Sequence, residues 1–195
     1  MLERDRQQCQ LEVFRKRIQQ EGWREGPVRL ATYLKPHQQK RMQWLKAHAV
    51  GSVLEVGCSW GYVSAYVGAE AGVDINPDNI MVARILSPEI EFREGDALAL
   101  PFPNKSFDTV LLTEVLEHMP WERVAKACRE AIRVARKRVL VTMPDGETDT
   151  EDAANVKHAW LATRQRVLEV GTRFLPPKGC ISRDSGFAFI ICELE

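Results

Sequence analysis

Residues 53–61, VLEVGCSWG, constrain the fold of this chain more than any other segment. An apolar strand runs into a glycine-rich turn, and a second apolar segment, GVDIN, carries Asp74 near its end. This layout is typical of a nucleoside-cofactor site in an open α/β sheet. Gly57 and Gly61 would let the backbone approach a ligand, while free N–H groups of the following helix would face it. Asp74 would accept hydrogen bonds from ribose hydroxyls.

Two classes of nucleoside cofactor fit this layout, and the glycine spacing distinguishes them. A dinucleotide fingerprint reads G-x-G-x-x-G. Here residues 55–61 read E-V-G-C-S-W-G, with Glu55 two positions before the first glycine. This pattern resembles the first motif of the class I S-adenosylmethionine-dependent methyltransferases, acid-x-Gly-x-Gly-x-Gly, with Ser59 at the middle glycine. The same spacing disfavours a nicotinamide enzyme.

The resemblance extends over residues 36–195. Residues 90–118, IEFREGDALALPFPNKSFDTVLLTEVLEH, are similar to the next two family motifs of the type-11 branch, which includes ubiquinone- and menaquinone-pathway and glycan-cluster enzymes. The resemblance implies S-adenosyl-L-methionine as cofactor, with Asp96 at the adenine amino group and Ala97 lining the ring. The residues expected to bind the cofactor are Glu55, Gly57, Cys58, Gly61, Asp74, Ile75, Asp96, Ala97 and Thr113.

Strands and helices alternate after residue 50, which predicts a parallel sheet with helices on both faces. Predicted strands cover 52–57, 72–75, 90–94, 107–113, 137–143 and 187–193. Predicted helices cover 3–20, 36–48, 61–69, 77–86, 121–135 and 163–170, with a break at Gly22 and Gly26-Pro27. The expected α/β fold is a doubly wound, seven-stranded, mostly parallel Rossmann-like sheet, and the resemblance adds an antiparallel last strand beside the fifth. Residues 1–35 are expected to form an N-terminal helical extension or lid, and residues 36–195 the methyltransferase domain.

Methyl transfer from a sulfonium is an in-line displacement, so the protein needs chiefly to orient the acceptor and exclude water. A general base is needed only where the acceptor loses a proton. Ligands of open α/β sheets bind beyond the carboxyl ends of the strands. This location favours Glu114 and His118 for catalysis, and Trp121, His158 and Trp160 for acceptor binding. Each has a plainer alternative as a residue that packs a helix end, bonds a loop carbonyl or anchors a loop. Weaker candidates for acceptor contact are Tyr33 and Trp60.

Glu114, Glu117 and His118, together with His158 in a long polar segment, also allow a metal hypothesis. Mixed oxygen and nitrogen ligands suit Mn²⁺, Co²⁺ or Zn²⁺ better than Mg²⁺. The pattern is similar to the E-x-x-E-H of small-RNA terminal methyltransferases. V-L-E-H also occurs in many family members that need no metal, so no metal is expected and this set remains the alternative.

The charge is uneven along the chain although its net value is zero. Residues 1–50 hold 11 Lys/Arg and 5 Asp/Glu, and the remainder holds 16 and 22. A basic segment suits an anionic substrate such as RNA, but solvated faces of amphipathic helices explain it more simply. Nucleic-acid binding is therefore not expected. Leu11, Phe14 and Ile18 form a stripe that would suit a partner helix, which leaves a homodimer open.

Composition narrows the function further. No apolar run approaches the roughly 20 residues that span a bilayer, and the charged start MLERDRQQCQ does not resemble a signal peptide. Five cysteines without a C-x-x-C pair predict reduced thiols and a cytoplasmic location.

We expect methyl transfer to oxygen, nitrogen or carbon of a small-molecule acceptor. The alternatives are a metal-assisted RNA-terminal O-methyltransferase and a non-catalytic cofactor-binding subunit.

Overall fold

The structure is a computed structural model that describes residues 3–22, 26–144, 164–175 and 180–194. Within these ranges the strands are β1 (Val53–Val56), β2 (Ala71–Asp74), β3 (Glu91–Glu94), β4 (Phe107–Thr113), β5 (Ala135–Pro144), β6 (Cys180–Asp184) and β7 (Phe187–Glu193). The helices are α1 (Glu3–Glu21), α2 (Gly26–Leu34), α3 (Pro36–His48), α4 (Tyr62–Val67), α5 (Pro77–Leu86), α6 (Trp121–Val134) and α7 (Arg164–Glu169). A short 3-10 helix covers Leu116–His118, and a π-helix over Val170–Phe174 continues α7.

The strands form one sheet in the order β3-β2-β1-β4-β5-β7-β6. The first five pair in parallel, whereas β7 runs antiparallel to both β5 and β6. This confirms the predicted doubly wound, mostly parallel sheet with an antiparallel last strand. The strand order reverses between β1 and β4. In open α/β sheets, ligands bind at such a switch point, beyond the carboxyl ends of the strands.

Alternate residues of the central strands face opposite sides of the sheet and build two apolar cores. Leu54, Val56 and Leu112 join the core that includes α6. Val53 and Leu111 join the core that includes residues of α3, α4 and α5. Because these strands are buried on both faces, they read in the sequence as nearly continuous apolar runs.

The N-terminal segment contains two helices where the sequence predicted one. Gly26 and Pro27 were expected only to interrupt the chain, but α2 begins at Gly26. Proline is favoured in the first turn of a helix, since the N–H that it lacks would have no intrahelical partner there. The predicted break is confirmed, since α1 ends at Glu21, whereas the helix that begins at Gly26 was not predicted.

Helix α1 packs against the chain's own domain. Phe14 and Ile18 are 4% and 3% exposed, and Arg17 Nη1 donates to the Ile85 carbonyl at the end of α5, at 2.9 Å. The stripe that would suit a partner helix is thus covered at these two positions by the fold itself. The division into an extension over residues 1–35 and a domain over 36–195 stays a prediction.

The described cysteine side chains Cys58, Cys128 and Cys192 are free and buried. Burial raises the pKa of the Cys128 thiol to about 12 and that of Cys192 to about 11, so both remain protonated thiols at neutral pH. Among the described residues, no helix is both long enough and apolar enough to cross a membrane.

Candidate cofactor-binding and active site

The glycine turn between β1 and α4 is fastened to the neighbouring strand. The backbone N–H groups of Gly57 and Cys58 both donate to the Val73 carbonyl, at 2.7 and 2.9 Å. Gly57 has a φ of 74° and Gly61 of 75°, a conformation that residues with a Cβ rarely adopt. A Cβ on Gly57 would lie 2.2 Å from Val115 Cγ2. The fold itself therefore requires Gly57, in addition to any space that a ligand needs.

The Asp74 carboxylate joins the glycine turn to the start of α5. Its Oδ2 accepts the backbone N–H of Ser59 at 2.8 Å. Its Oδ1 accepts the Asn76 backbone N–H at 2.9 Å and the Asn79 side-chain amide at 3.1 Å. A carboxylate offers about four acceptor positions, so these three bonds leave room for one direct bond to a ligand. The assignment of both ribose hydroxyls to Asp74 stays a prediction, and this count of acceptor positions favours one direct bond.

Glu55 and Thr113, both expected to contact the cofactor, turn their side chains toward each other inside the fold. Thr113 Oγ1 donates to Glu55 Oε1 at 2.8 Å, and the Ser64 hydroxyl donates to Oε2. Burial raises the pKa of the Glu55 carboxyl to about 7, against the lowering effect of the two hydroxyls. These bonds connect β1, β4 and α4, so the two side chains position the strand ends that carry the turn.

Three more of the expected cofactor contacts follow β2 and β3, and two of them, Asp96 and Ala97, are those expected at the adenine. Ile75 is 69% exposed although it is a large apolar residue. Asp96 lies just beyond β3, where its Oδ1 accepts the Leu98 N–H at 2.9 Å, and Ala97 beside it is half-buried. Apolar surface with a few polar groups at the strand ends is the arrangement that an adenine ring would cover.

Glu114 follows β4 in a strained conformation. Its φ is 54°, which is uncommon for a residue other than glycine and is found disproportionately at functional sites. Its backbone N–H donates to the Thr142 carbonyl at 3.0 Å. Its Oε1 lies 3.8 Å from Nη1 of Arg41. The structure thus places this carboxylate at the switch point and beside a cation.

Glu117 is buried close to Glu114. It is 1% exposed, and within the described part of the chain neither of its carboxylate oxygens has a hydrogen-bond partner. Burial, and next the charge of Glu114, raise the pKa of Glu117 well above its usual value. His118 is exposed. The structure therefore brings the two glutamates together and leaves the histidine at the surface.

The metal hypothesis receives no support from the residues that the structure describes. Among them, no group of three or more His, Cys, Asp or Glu side chains is arranged to hold an ion. His158, the fourth member of the hypothetical set, lies outside the described residues, so the hypothesis stays open there.

Trp121, an expected acceptor contact, begins α6 and packs against the segment that follows α7. Its ring centroid lies 5.5 Å from that of Phe174, and the Arg166 guanidinium lies 5.0 Å from its centroid. These contacts fit the plainer alternative, a residue that packs a helix end. His158 and Trp160, the other expected acceptor contacts, lie outside the described residues.

A cavity of about 130 Å³ lies between the N-terminal helices and the glycine turn. Tyr33 stacks on Tyr62 with ring centroids 4.5 Å apart, and Phe14 meets Tyr62 edge to face at 5.3 Å. The lining residues are Phe14, Ile18, Leu30, Thr32, Tyr33, Ser59, Trp60 and Tyr62. Sequence reasoning proposed Tyr33 and Trp60 as acceptor contacts but missed Tyr62, although an aromatic residue directly after the glycine turn was a signal.

Arg41 of α3 is a second residue that sequence reasoning missed. It is 4% exposed. Its guanidinium carbon lies 5.4 Å from the centre of the Phe187 ring, and its Nε donates to Gln38 Oε1 at 3.0 Å. Arginine is almost never fully buried unless it is paired. The signal was its helical position, since it shares a buried face with Met42 and Leu45.

The fold is that of an α/β protein with a candidate nucleoside-cofactor site at the switch point of its sheet. Residues 54–143 match the family described as a methyltransferase domain. These residues therefore resemble a class I S-adenosylmethionine-dependent methyltransferase domain of the type-11 branch, and a solved structure at 16% identity shows the same fold. S-adenosyl-L-methionine is the cofactor that this resemblance implies.

Two curated proteins illustrate the similarity. Ajmaline N-methyltransferase of Rauvolfia serpentina is 32% identical over 95 residues, covering 43% of this chain and 32% of that protein. The 2-methyl-6-phytyl-1,4-hydroquinone methyltransferase of Synechocystis sp. is 32% identical over 102 residues, covering 48% of this chain and 31% of that protein. The chain therefore spans about a third of the length of these relatives.

Among solved structures, the chain resembles a methyltransferase from Thermotoga maritima that is described as S-adenosylmethionine-dependent and a possible histamine N-methyltransferase. The TM-score is 0.71 with 16% identity, and the match covers 94% of this chain and 99% of that one. At this identity the similarity shows a common fold, which extends over nearly the whole of both chains.

Proposed function

We propose that this protein transfers the methyl group of S-adenosyl-L-methionine to a small-molecule acceptor. The observation that carries the proposal is the 2.8 Å hydrogen bond from the Ser59 N–H to Asp74. It holds the glycine turn against an acid at the end of β2, where one acceptor position remains for a ribose hydroxyl. The match of residues 54–143 to a methyltransferase domain supports the choice of nucleoside.

In this proposal the cofactor lies along the glycine turn. Asp74 accepts a hydrogen bond from a ribose hydroxyl, and Glu55 and Thr113 support the turn from within the sheet. The sulfonium supplies an activated methyl group, so the protein contributes orientation and the exclusion of water. The remaining proposed contacts are Gly57, Cys58 and Gly61 along the turn, and Ile75, Asp96 and Ala97 around the adenine.

The cavity beside the turn supports an apolar, ring-bearing acceptor. Its volume of about 130 Å³ is close to the ~150 Å³ of an engineered apolar cavity that binds benzene. Tyr33, Trp60 and Tyr62 line the cavity with aromatic rings, and Ser59, which also lines it, belongs to the glycine turn. The hydroquinone named for one relative is a ring compound of this kind.

A hydroxyl acceptor must also lose a proton, and Glu114 and His118 are the candidate bases. Arg41 Nη1 lies 3.8 Å from Glu114 Oε1, and a carboxylate accepts a proton in its ionised form. In the transfer step the acceptor oxygen forms a bond to the methyl carbon as the carbon–sulfur bond breaks. The sulfur keeps the bonding electron pair, S-adenosylhomocysteine leaves, and the acceptor proton passes to the base.

Incubation with methyl-labelled S-adenosylmethionine and a panel of phenols, hydroquinones, indoles and aliphatic amines tests the proposal. Label transfer to at least one ring-bearing acceptor is expected, and Asp74→Ala should weaken it. Transfer only to RNA from a cell extract would support the RNA-terminal alternative. Cofactor binding without transfer to the panel or to any extract component would support the non-catalytic alternative.

A further inference from the structure

A second cavity lies between helices α1 and α2, next to the cavity that borders the glycine turn. Its volume is about 160 Å³, and its described lining residues are Arg15, Ile18, Gln19, Leu30, Ala31 and Leu34. The three that belong to α1 lie three and four positions apart and therefore share one face of that helix. The cavity is thus formed where this face of α1 meets α2.

The lining of the second cavity is largely apolar. Ile18 and Leu30 are buried, whereas Leu34 is 41% exposed although it is a large apolar residue. Arg15 and Gln19 are exposed, and long side chains of this kind present methylene groups below their polar ends. The cavity therefore suits an uncharged aliphatic group, which would also remove part of Leu34 from water.

The two cavities are neighbours. Ile18 and Leu30 line both of them, so these two side chains form the boundary between the two spaces. Neither volume, about 130 Å³ and about 160 Å³, reaches the roughly 300 Å³ at which ligand pockets commonly begin, whereas the two together come close to it. A ligand that occupied both would reach from Ser59 in the glycine turn to Leu34.

We propose that the acceptor carries an aliphatic chain on its ring and that this chain binds in the second cavity. The proposal rests on the proposed function, because it begins from an acceptor ring in the cavity at the glycine turn. The chain passes Ile18 and Leu30 and ends beside Ala31 and Leu34. The second cavity is close in volume to the ~150 Å³ engineered cavity that binds benzene, so it accommodates a chain of about six carbons.

Such a subsite makes chain length a determinant of acceptor specificity. Burial of each methylene group strengthens binding by up to about fourfold. The gain ends when the cavity is full, because further methylene groups stay in water. The length at which the gain ends therefore reports the size of the second cavity.

Calorimetric titration of 4-alkylphenols, from 4-methylphenol to 4-octylphenol, tests the proposal on the unmodified protein in the presence of S-adenosylhomocysteine. We expect the affinity to rise about two- to fourfold per methylene group up to a chain of about six carbons, and then to level off. Phenols that bind with no dependence on chain length would overturn this proposal alone. Absence of binding by the whole series would also overturn the ring-bearing acceptor of the proposed function.

Substitutions then locate the chain. Ala31→Trp places a large side chain at the wall of the second cavity. It should weaken 4-hexylphenol about 10- to 100-fold and leave 4-methylphenol within about twofold of its parent affinity. Ala47→Trp makes the same exchange at an exposed position of α3. It is the matched control and should reproduce the parent series.

Leu34→Ala supplies an independent measurement, which also covers the case in which the tryptophan variant does not fold. It enlarges the second cavity at an exposed residue, so the affinity should level off at a longer chain than in the parent. If Leu34→Ala levels off at the parent's chain length, or if folded Ala31→Trp keeps the parent's gain per methylene group, the chain binds elsewhere and the proposal is wrong.

Discussion

The Asp74 carboxylate and the Ser59 backbone N–H, 2.8 Å apart, join two parts of the chain that are 15 residues apart in sequence. With the bonds to Asn76 and Asn79, this contact makes Asp74 a structural connection as well as a candidate ribose ligand. Any test of Asp74 must therefore measure stability and affinity separately. The same holds for Gly57, because a Cβ atom at this position would lie 2.2 Å from Val115 Cγ2.

Gly57→Ala is expected to lower the free energy of unfolding by about 2–4 kcal/mol, since it adds a left-handed alanine and a contact with Val115. Gly68→Ala is the matched control, because Gly68 has a φ of 78° and no atom within 4 Å of an added Cβ. The control should lose about 1–2 kcal/mol. Urea unfolding measures both. Equal losses in the two variants would mean that Val115 gives way and that the contact does not restrict position 57.

Glu55→Gln is expected to change how stability depends on pH. The pKa of Glu55 is raised to about 7 in the folded protein, so between pH 4.5 and 7 the folded state holds a proton that the unfolded state has lost. The free energy of unfolding therefore falls as pH rises through this range, by about 3 kcal/mol from this group. The raised pKa of Glu117 acts in the same direction.

Denaturant unfolding at a series of pH values checks this prediction. Glu55→Gln should remove about 3 kcal/mol of the fall between pH 4.5 and 7, whereas Glu89→Gln, at an exposed carboxyl, should leave it unchanged. The lowered pKa values of Asp108 and Glu130 act in the opposite sense, with stability lost toward low pH. A pH dependence that is identical in the parent and in Glu55→Gln would contradict the burial of a protonated Glu55.

Local pattern was enough to predict the parallel strands, and the family resemblance supplied the antiparallel last strand, but neither gave the detailed surroundings of the site. The strand from Phe107 to Thr113 and the last strand from Phe187 to Glu193 were predicted with the observed ends, because buried strands are continuous apolar runs. Arg41 was missed because a single arginine in a polar helix reads as exposed until the Phe187 ring, far away in sequence, packs over it. Likewise, the inward orientation of Glu55 depends on hydroxyls of Ser64 and Thr113 that only the folded chain brings together.

His118→Ala is expected to lower kcat for a hydroxyl acceptor by about 10²- to 10⁴-fold, because it removes the proposed base. Affinity for S-adenosylhomocysteine should stay within about twofold of the parent value, since no cofactor contact is lost. Steady-state methyl transfer and calorimetry measure the two quantities. His48→Ala, a histidine of α3 remote from β4 in sequence, is the control. An unchanged kcat would leave His118 as a surface residue of the 3-10 helix.

Removal of divalent metal is expected to leave methyl transfer unchanged. Glu117 is 1% exposed, and its neighbour Leu116 belongs to the core that includes α6. Such burial makes Glu117 a poor ligand for an ion that must also contact the acceptor. The check is activity after chelation, followed by addition of Mn²⁺, Co²⁺ or Zn²⁺. Activity that disappears with chelator and returns with one of these ions would instead support a site that includes Glu114, Glu117, His118 and His158.

Calorimetric titration of S-adenosylhomocysteine into the parent and Asp74→Ala tests the central claim, that the glycine turn and Asp74 form the cofactor site. Loss of a charge-assisted hydrogen bond should weaken binding about 10- to 100-fold, and thermal unfolding without ligand shows whether the variant is folded. Asp78→Ala, at an exposed acid in the first turn of α5, should bind as the parent does. If folded Asp74→Ala binds S-adenosylhomocysteine as tightly as the parent, the cofactor does not occupy this site and the account is wrong.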